Sequence, residues 1–166
     1  IADKLGVELE VVDMSFDNLL MSLDRGDFDI VMASLTPTED RMKAVDFSEP
    51  YFYGSQVVVI RAEDADKYTT TESLKDCSVA AQKGAIQVPI ANEIAGEANV
   101  VQLVKVGDMI KELKAGKVEA VFLDNIIAGA DRSICKGCYA CTEVCPADAG
   151  HCWGEEKTVD ELLQVS

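Results

Sequence analysis

The constraint that weighs most on this chain is a break in its composition near Asp131. Before it, aliphatic runs alternate with polar helical patterns. After it, five of the six cysteines crowd between Cys135 and Cys152. No single packed core accounts for both stretches. An aliphatic α/β pattern buries itself, whereas a cysteine-dense loop of this length has few apolar side chains to bury. The chain is therefore read in two parts, with 166 residues enough for one ordinary domain or two small ones.

The first part carries alternating strand and helix signals. Val7-Glu-Leu-Glu-Val11 alternates with period two and reads as a half-buried strand, with Gly6 before it at a helix C-terminus. Ser15 can cap a helix whose face holds Leu19, Leu20 and Leu23 and which Gly26 ends. The short apolar run Asp29 to Ala33 reads as a buried parallel strand, followed by a polar loop with Pro37 that opens a short helix. Val57 to Ile60, Ser78 to Ala81, Val100 to Val104 and Ala120 to Leu123 read as further strands. Helices are expected from Ile86 through Ile94 and from Val106 to Ala115, with Pro89 near the start of the former, where a missing N–H matters least. The alternation is that of an open α/β sheet.

Bulk charge narrows the partners. Thirty acidic against fifteen basic residues leave a net charge of −15. Nucleic acid and anionic membranes are poor partners for such a surface, and a cationic or zwitterionic ligand or a basic protein suits it better. No run of about 18 apolar residues exists to span a bilayer. Glycine spacing matches no dinucleotide or P-loop pattern, and the single histidine, His151, sits in the cysteine-rich stretch, so no Ser–His–acid set can be assembled. The chain is expected not to be an enzyme.

Two anchors stand at expected strand ends, where open α/β sheets bind ligands. Ser34, Thr36 and Arg41 follow the run at 29–33, and hydroxyls with a guanidinium can grip a carboxylate through charge-assisted hydrogen bonds. Asp124 ends the last strand and can hold an ammonium group. Together they describe an α-amino acid. Taken singly, Arg41 is more simply a solvated helix charge, and Asp124 is as readily a helix N-cap.

Several stretches carry a resemblance: Ile1-Ala-Asp-Lys-Leu-Gly-Val7, Phe16-Asp-Asn-Leu-Leu20, Asp29-Ile-Val-Met-Ala-Ser-Leu-Thr-Pro-Thr-Glu-Asp-Arg41, Val45-Asp-Phe-Ser-Glu-Pro-Tyr51 and Ala120-Val-Phe-Leu-Asp124. Residues 1–130 resemble the bacterial extracytoplasmic solute-binding proteins that feed polar amino acids to ABC importers. The resemblance implies a type II periplasmic-binding-protein-like fold of two α/β lobes, 1–61 and 62–130, closing on the ligand. It implies that Ser34, Thr36 and Arg41 take the ligand carboxylate and Asp124 its amino group, with an ABC permease as partner and an extracytoplasmic location. Lys83-Gly-Ala-Ile-Gln87 matches the second-lobe loop, so Gly84 and Ala85 are binding candidates, although Ala85 stands where a small hydroxyl residue is common.

The same resemblance implies a strand before Ile1 and closing elements after the second lobe. The chain is accordingly expected to begin inside a longer sequence, with a first lobe that is N-terminally incomplete and either unstable alone or completed by a second chain.

Cys135-Lys-Gly-Cys138-Tyr-Ala-Cys141-Thr-Glu-Val-Cys145-Pro146 has the spacing of the bacterial iron–sulfur run. Residues 134–149 resemble half of a two-cluster bacterial ferredoxin, within a C-terminal segment spanning 131–166. A 4Fe-4S cluster on Cys135, Cys138 and Cys141 is expected, with Cys145 or Cys152 as fourth ligand. In the two-cluster pattern the cysteine before proline serves the other cluster, so the fourth ligand stays open. Zinc is the alternative metal and fits the crowding less well; disulfides or an inert remnant are the third reading. His151 is expected to be no ligand, Trp153 a packing anchor, and Cys77 a buried small hydrophobe. An iron–sulfur electron carrier or redox sensor, then cytoplasmic, is the alternative function.

Overall fold

The computed structural model describes residues 1–130, which divide into two compact units, one of Ile1–Glu49 and one beginning at Pro50.

In the first unit, helix α1 spans Ala2–Leu5 and ends at Gly6, whose φ of 69° is a left-handed conformation that glycine adopts without a side-chain clash. A single 3-10 turn at Phe16–Asn18 leads into α2, Leu19–Asp24. Leu19, Leu20 and Leu23 are half-buried there, and the one fully buried residue of this unit is Ser22. Helix α3, Glu39–Ala44, starts under a side-chain cap: Thr38 Oγ1 accepts from the Arg41 N–H at 3.3 Å.

Two expected strands do not form in this unit. Segments 7–11 and 29–33 lie in no sheet, and Val7, Leu9, Val11, Ile30 and Met32 are all more than half exposed. The physical reason is that apolar alternation specifies which face of a strand is buried but supplies none of the ladder hydrogen bonds. Those bonds need a neighbouring strand, and among the described residues neither segment has one.

The second unit holds the core. Strands β1 (Gln56–Ile60), β2 (Val79–Gln82), β3 (Val100–Leu103) and β4 (Ala120–Asp124) form one sheet in the order β1-β4-β2-β3. Strand β1 runs antiparallel to β4, whereas β2 is parallel to both β4 and β3. Helices α4 (Gln87–Ala95) and α5 (Val106–Lys114) follow β2 and β3, and α6 (Asn125–Ala130) follows β4. The strands and helices expected at 57–60, 78–81, 86–94, 100–104, 106–115 and 120–123 are thus present to within about two residues, the usual uncertainty of an element end.

Period-two alternation now has a sheet to act on. Val58, Ile60, Val79, Ala81, Ala120 and Phe122 pack with Ala91 and Ala95 of α4 on one face. Val57, Val59, Ala80, Val121 and Leu123 pack with Met109, Ile110 and Leu113 of α5 and Ala128 of α6 on the other. Burial on both faces explains why these strands read as continuous apolar runs. Strand β1 lies past the division at Pro50 and is bonded along its length to β4, its one strand neighbour among the described residues.

Candidate functional site

The first unit sets Ser34, Thr36 and Arg41 on one short segment. Ser34 has a φ of 49°, a left-handed conformation uncommon for a residue with a Cβ and shared among the described residues by Asp76 at 62°. Ser34 and Thr36 are exposed. Arg41, in the first turn of α3, is half-buried. Its Nη1 donates to the Thr36 carbonyl at 2.8 Å, and its guanidinium lies 5.7 Å from the centroid of the Phe16 ring. Burial draws its pKa below the ordinary arginine value, yet a guanidinium remains a cation at physiological pH. The loop carbonyl and the aromatic face aim a charged group that a solvated helix arginine would leave free to swing.

In the second unit, Asp124 closes β4 and is half-buried. It does not act as a bare end-of-strand carboxylate. Gln56 Nε2 donates to Asp124 Oδ1 at 2.6 Å, and Gln87 Nε2 donates to Gln56 Oε1 at 2.6 Å. Gln87 opens α4 and is only 4% exposed, so its amide is committed to this network rather than to water. After Asp124, Asn125 ties the strand end to the segment that leads into β1: its N–H donates to the Ser55 carbonyl at 2.9 Å and its Oδ1 accepts from the Ser55 N–H at 3.3 Å.

The loop between β2 and α4 turns at Gly84, whose φ is 79°. Ala85 is buried, and its N–H donates to the Gln82 carbonyl at 3.1 Å. That donor closes the turn in this structure, so neither a side chain nor the N–H of Ala85 presents itself to a ligand here.

The structure thus keeps Ser34, Thr36 and Arg41 together in one unit, and Gly84, Ala85 and Asp124 in the other. Cys135, Cys138, Cys141, Cys145 and Cys152 lie outside the described residues, as do His151 and Trp153. Cys77 is a free thiol of intermediate exposure beside the core face that holds Val79 and Phe122. Gln56 and Gln87 were not legible as site residues. Glutamine has no periodic signature; Gln56 stands as a polar residue at the head of the run Gln56-Val-Val-Val-Ile60, and Gln87 ends the stretch Lys83-Gly-Ala-Ile-Gln87 without being singled out in it.

Residues 1–85 match the family described as bacterial extracellular solute-binding proteins, family 3. The chain belongs to that family. Among its relatives in this solute-binding family, the arginine-binding extracellular protein ArtP of Bacillus subtilis is 30% identical over 130 residues, which cover 77% of this chain and 50% of ArtP. A crystal structure of the amino acid ABC transporter substrate-binding protein AbpA from Streptococcus pneumoniae, bound to L-arginine, superposes with a TM-score of 0.74 at 37% identity, covering 77% of this chain and 54% of AbpA. The chain spans about half the length of the curated relatives it matches. An enzyme matches part of the chain: a membrane-bound lytic murein transglycosylase F of Desulfosudis oleivorans is 44% identical over 63 residues, 38% of this chain and 14% of that protein. The mixed α/β sheet is that of amino-acid-binding proteins of this kind.

Proposed function

We propose that this chain captures a polar α-amino acid for an ABC importer, outside the cytoplasm and without catalysis. The reading is supported by one braced charge in each unit. Arg41, braced by the Thr36 carbonyl and Phe16, supplies the cation for a carboxylate, with the hydroxyls of Ser34 and Thr36 beside it in sequence. Asp124, fixed by Gln56, supplies the anion for an ammonium group. Gly84 of the turn before α4 is a further backbone candidate. The likeness to an arginine-binding extracellular protein and to a structure bound to L-arginine supports the ligand class, and an ABC permease is the partner such a protein serves. Calorimetric titration of the chain with L-arginine, L-glutamine and L-histidine tests it. Binding that Arg41→Met and Asp124→Asn each remove supports the reading; absence of binding to all three counts against it.

A second chain that supplies a strand to the first unit is part of this proposal. It would give segments 7–11 and 29–33 the ladder partner they lack among the described residues and would cover Val7, Leu9, Val11, Ile30 and Met32.

The cysteine spacing favours a second reading. Cys135, Cys138 and Cys141, with Cys145 or Cys152, offer soft anionic ligands for a 4Fe-4S cluster, and zinc is the lesser alternative. Such a centre would make the chain an electron carrier or redox sensor. Iron and acid-labile sulfide per chain, measured on anaerobically purified protein, decide it: near-stoichiometric amounts support the cluster, and their absence after reconstitution removes it.

A further inference from the structure

The sheet register places Gln56 directly opposite Asp124 in the antiparallel β1–β4 pair. Residues so paired point to the same face with their Cβ atoms about 4.5–5.5 Å apart. The face is the one that α4 covers, because Val58 and Ile60 of β1 and Ala120 and Phe122 of β4 pack there against Ala91 and Ala95. Gln87, at the start of α4, reaches the same corner. Three elements therefore meet in one line of side chains, Gln87 to Gln56 to Asp124, with both links at 2.6 Å.

The direction of this line follows from chemistry. An ionised carboxylate only accepts, so Gln56 must turn its NH2 toward Asp124. Its carbonyl oxygen then faces the other way and can only accept, so Gln87 must present its own NH2. Each amide is locked by its neighbour, and aligned amide dipoles strengthen one another. The terminal donor is neutral. It orients Asp124 and occupies one lobe of Oδ1 without cancelling the carboxylate charge, as a lysine or arginine at position 56 would.

We infer that Gln56 is a positioning residue of the ammonium site: held by Gln87, it fixes the Asp124 carboxylate while leaving its negative charge for a cationic amino group. The inference deepens the proposed function and rests on Asp124 being the ammonium anchor. Register makes the arrangement specific, since a slip of one residue would send Gln56 to the opposite face of the sheet. It also ties the start of α4 to the end of β4, so a shift in the loop at Gly84 reaches the ammonium anchor through two hydrogen bonds.

The test compares L-arginine with its analogue lacking the α-amino group, titrated calorimetrically into the full chain and its Gln56→Met, Gln87→Met and Asp124→Asn variants. Gln56→Met is expected to weaken L-arginine roughly tenfold, as loss of a charge-assisted hydrogen bond does, and to leave the analogue unchanged. Gln87→Met, one step further from the carboxylate, is expected to act in the same direction more weakly, and it stands in should Gln56→Met fail to fold. Equal losses for both ligands mean a merely structural role and overturn the inference. A loss with Asp124→Asn but none with either glutamine variant overturns it while the proposed function stands. An Asp124→Asn variant that binds L-arginine as well as the parent, or a parent that binds no amino acid, overturns both. Side-chain amide NMR of the ligand-free chain gives an independent reading: the Gln56 NH2 resonances must move in Asp124→Asn and in Gln87→Met, and unmoved resonances overturn the inference.

Discussion

Arg61 Nη1 donates to the Leu113 carbonyl at 2.9 Å, tying the C-terminal end of α5 to the residue that follows β1. The same nitrogen reaches the Val118 carbonyl at 2.8 Å, and Nη2 meets Asp64 at 2.6 Å, with both side chains about four-fifths buried. A helix end leaves carbonyls short of partners, and here one cation joins the Gly116 N–H on the carbonyl of Leu113 near the end of α5 and also holds the carbonyl of Val118 in the loop before β4.

Replacing Arg61 by Met keeps the apolar stem and removes every donor. It leaves two carbonyls and the Asp64 carboxylate without their cation, so a loss of about 2–4 kcal/mol in stability is expected. Urea unfolding of the variant checks this; a midpoint within error of the parent would show that the cap is dispensable.

Stability is also expected to be uneven. All the fully buried apolar side chains among the described residues lie between Val57 and Ala128, and the first unit has none. Amide exchange should therefore be slowest in β1, β2 and β4 and fast through segments 7–11 and 29–33. Protection at 29–33 equal to that of β4 would mean that the first unit has found a strand partner in solution.

Phe122 is 2% exposed and packs on the face covered by α4. Phe122→Ala opens a cavity among side chains that cannot close in, at a cost of about 3–5 kcal/mol. Thr38→Ala removes only the cap on the Arg41 N–H and should cost about 1 kcal/mol. Thermal unfolding of the two variants should rank them in that order.

Ser34 offers a separate test, because its φ of 49° suits glycine better than serine. Ser34→Gly should leave stability nearly unchanged while lowering amino-acid affinity a few-fold, the effect of one lost hydroxyl donor of about 0.5–1.5 kcal/mol. Calorimetric titration beside a melting curve separates the two, and unchanged affinity would remove Ser34 from the site.

What could be read ahead of the structure follows from how each element is stabilised. Val57 to Ile60 and Ala120 to Leu123 are apolar at every position because both their faces are covered, and such runs announce themselves. Helix α5 was legible from the spacing of Val106, Met109, Ile110 and Leu113 along one face. Segments 7–11 and 29–33 carried equally good patterns and formed no ladder, since a strand is completed by a neighbour that its own residues do not encode. At the site, Arg41 and Asp124 stood out by charge at element ends, and the structure adds what braces each of them. Gln56 and Gln87 could not be found in advance, because their roles come from a cross-strand register and a helix start that meet only in the fold.

The proposed function stands on Arg41 as the carboxylate anchor and Asp124 as the ammonium anchor. Its most direct test is calorimetric titration of L-arginine into the full chain and into Arg41→Met and Asp124→Asn. Saturable binding by the parent chain and a loss of at least about tenfold in each variant are expected, the effect of removing one partner of a charge-assisted pair. Binding that survives both substitutions unchanged would contradict it.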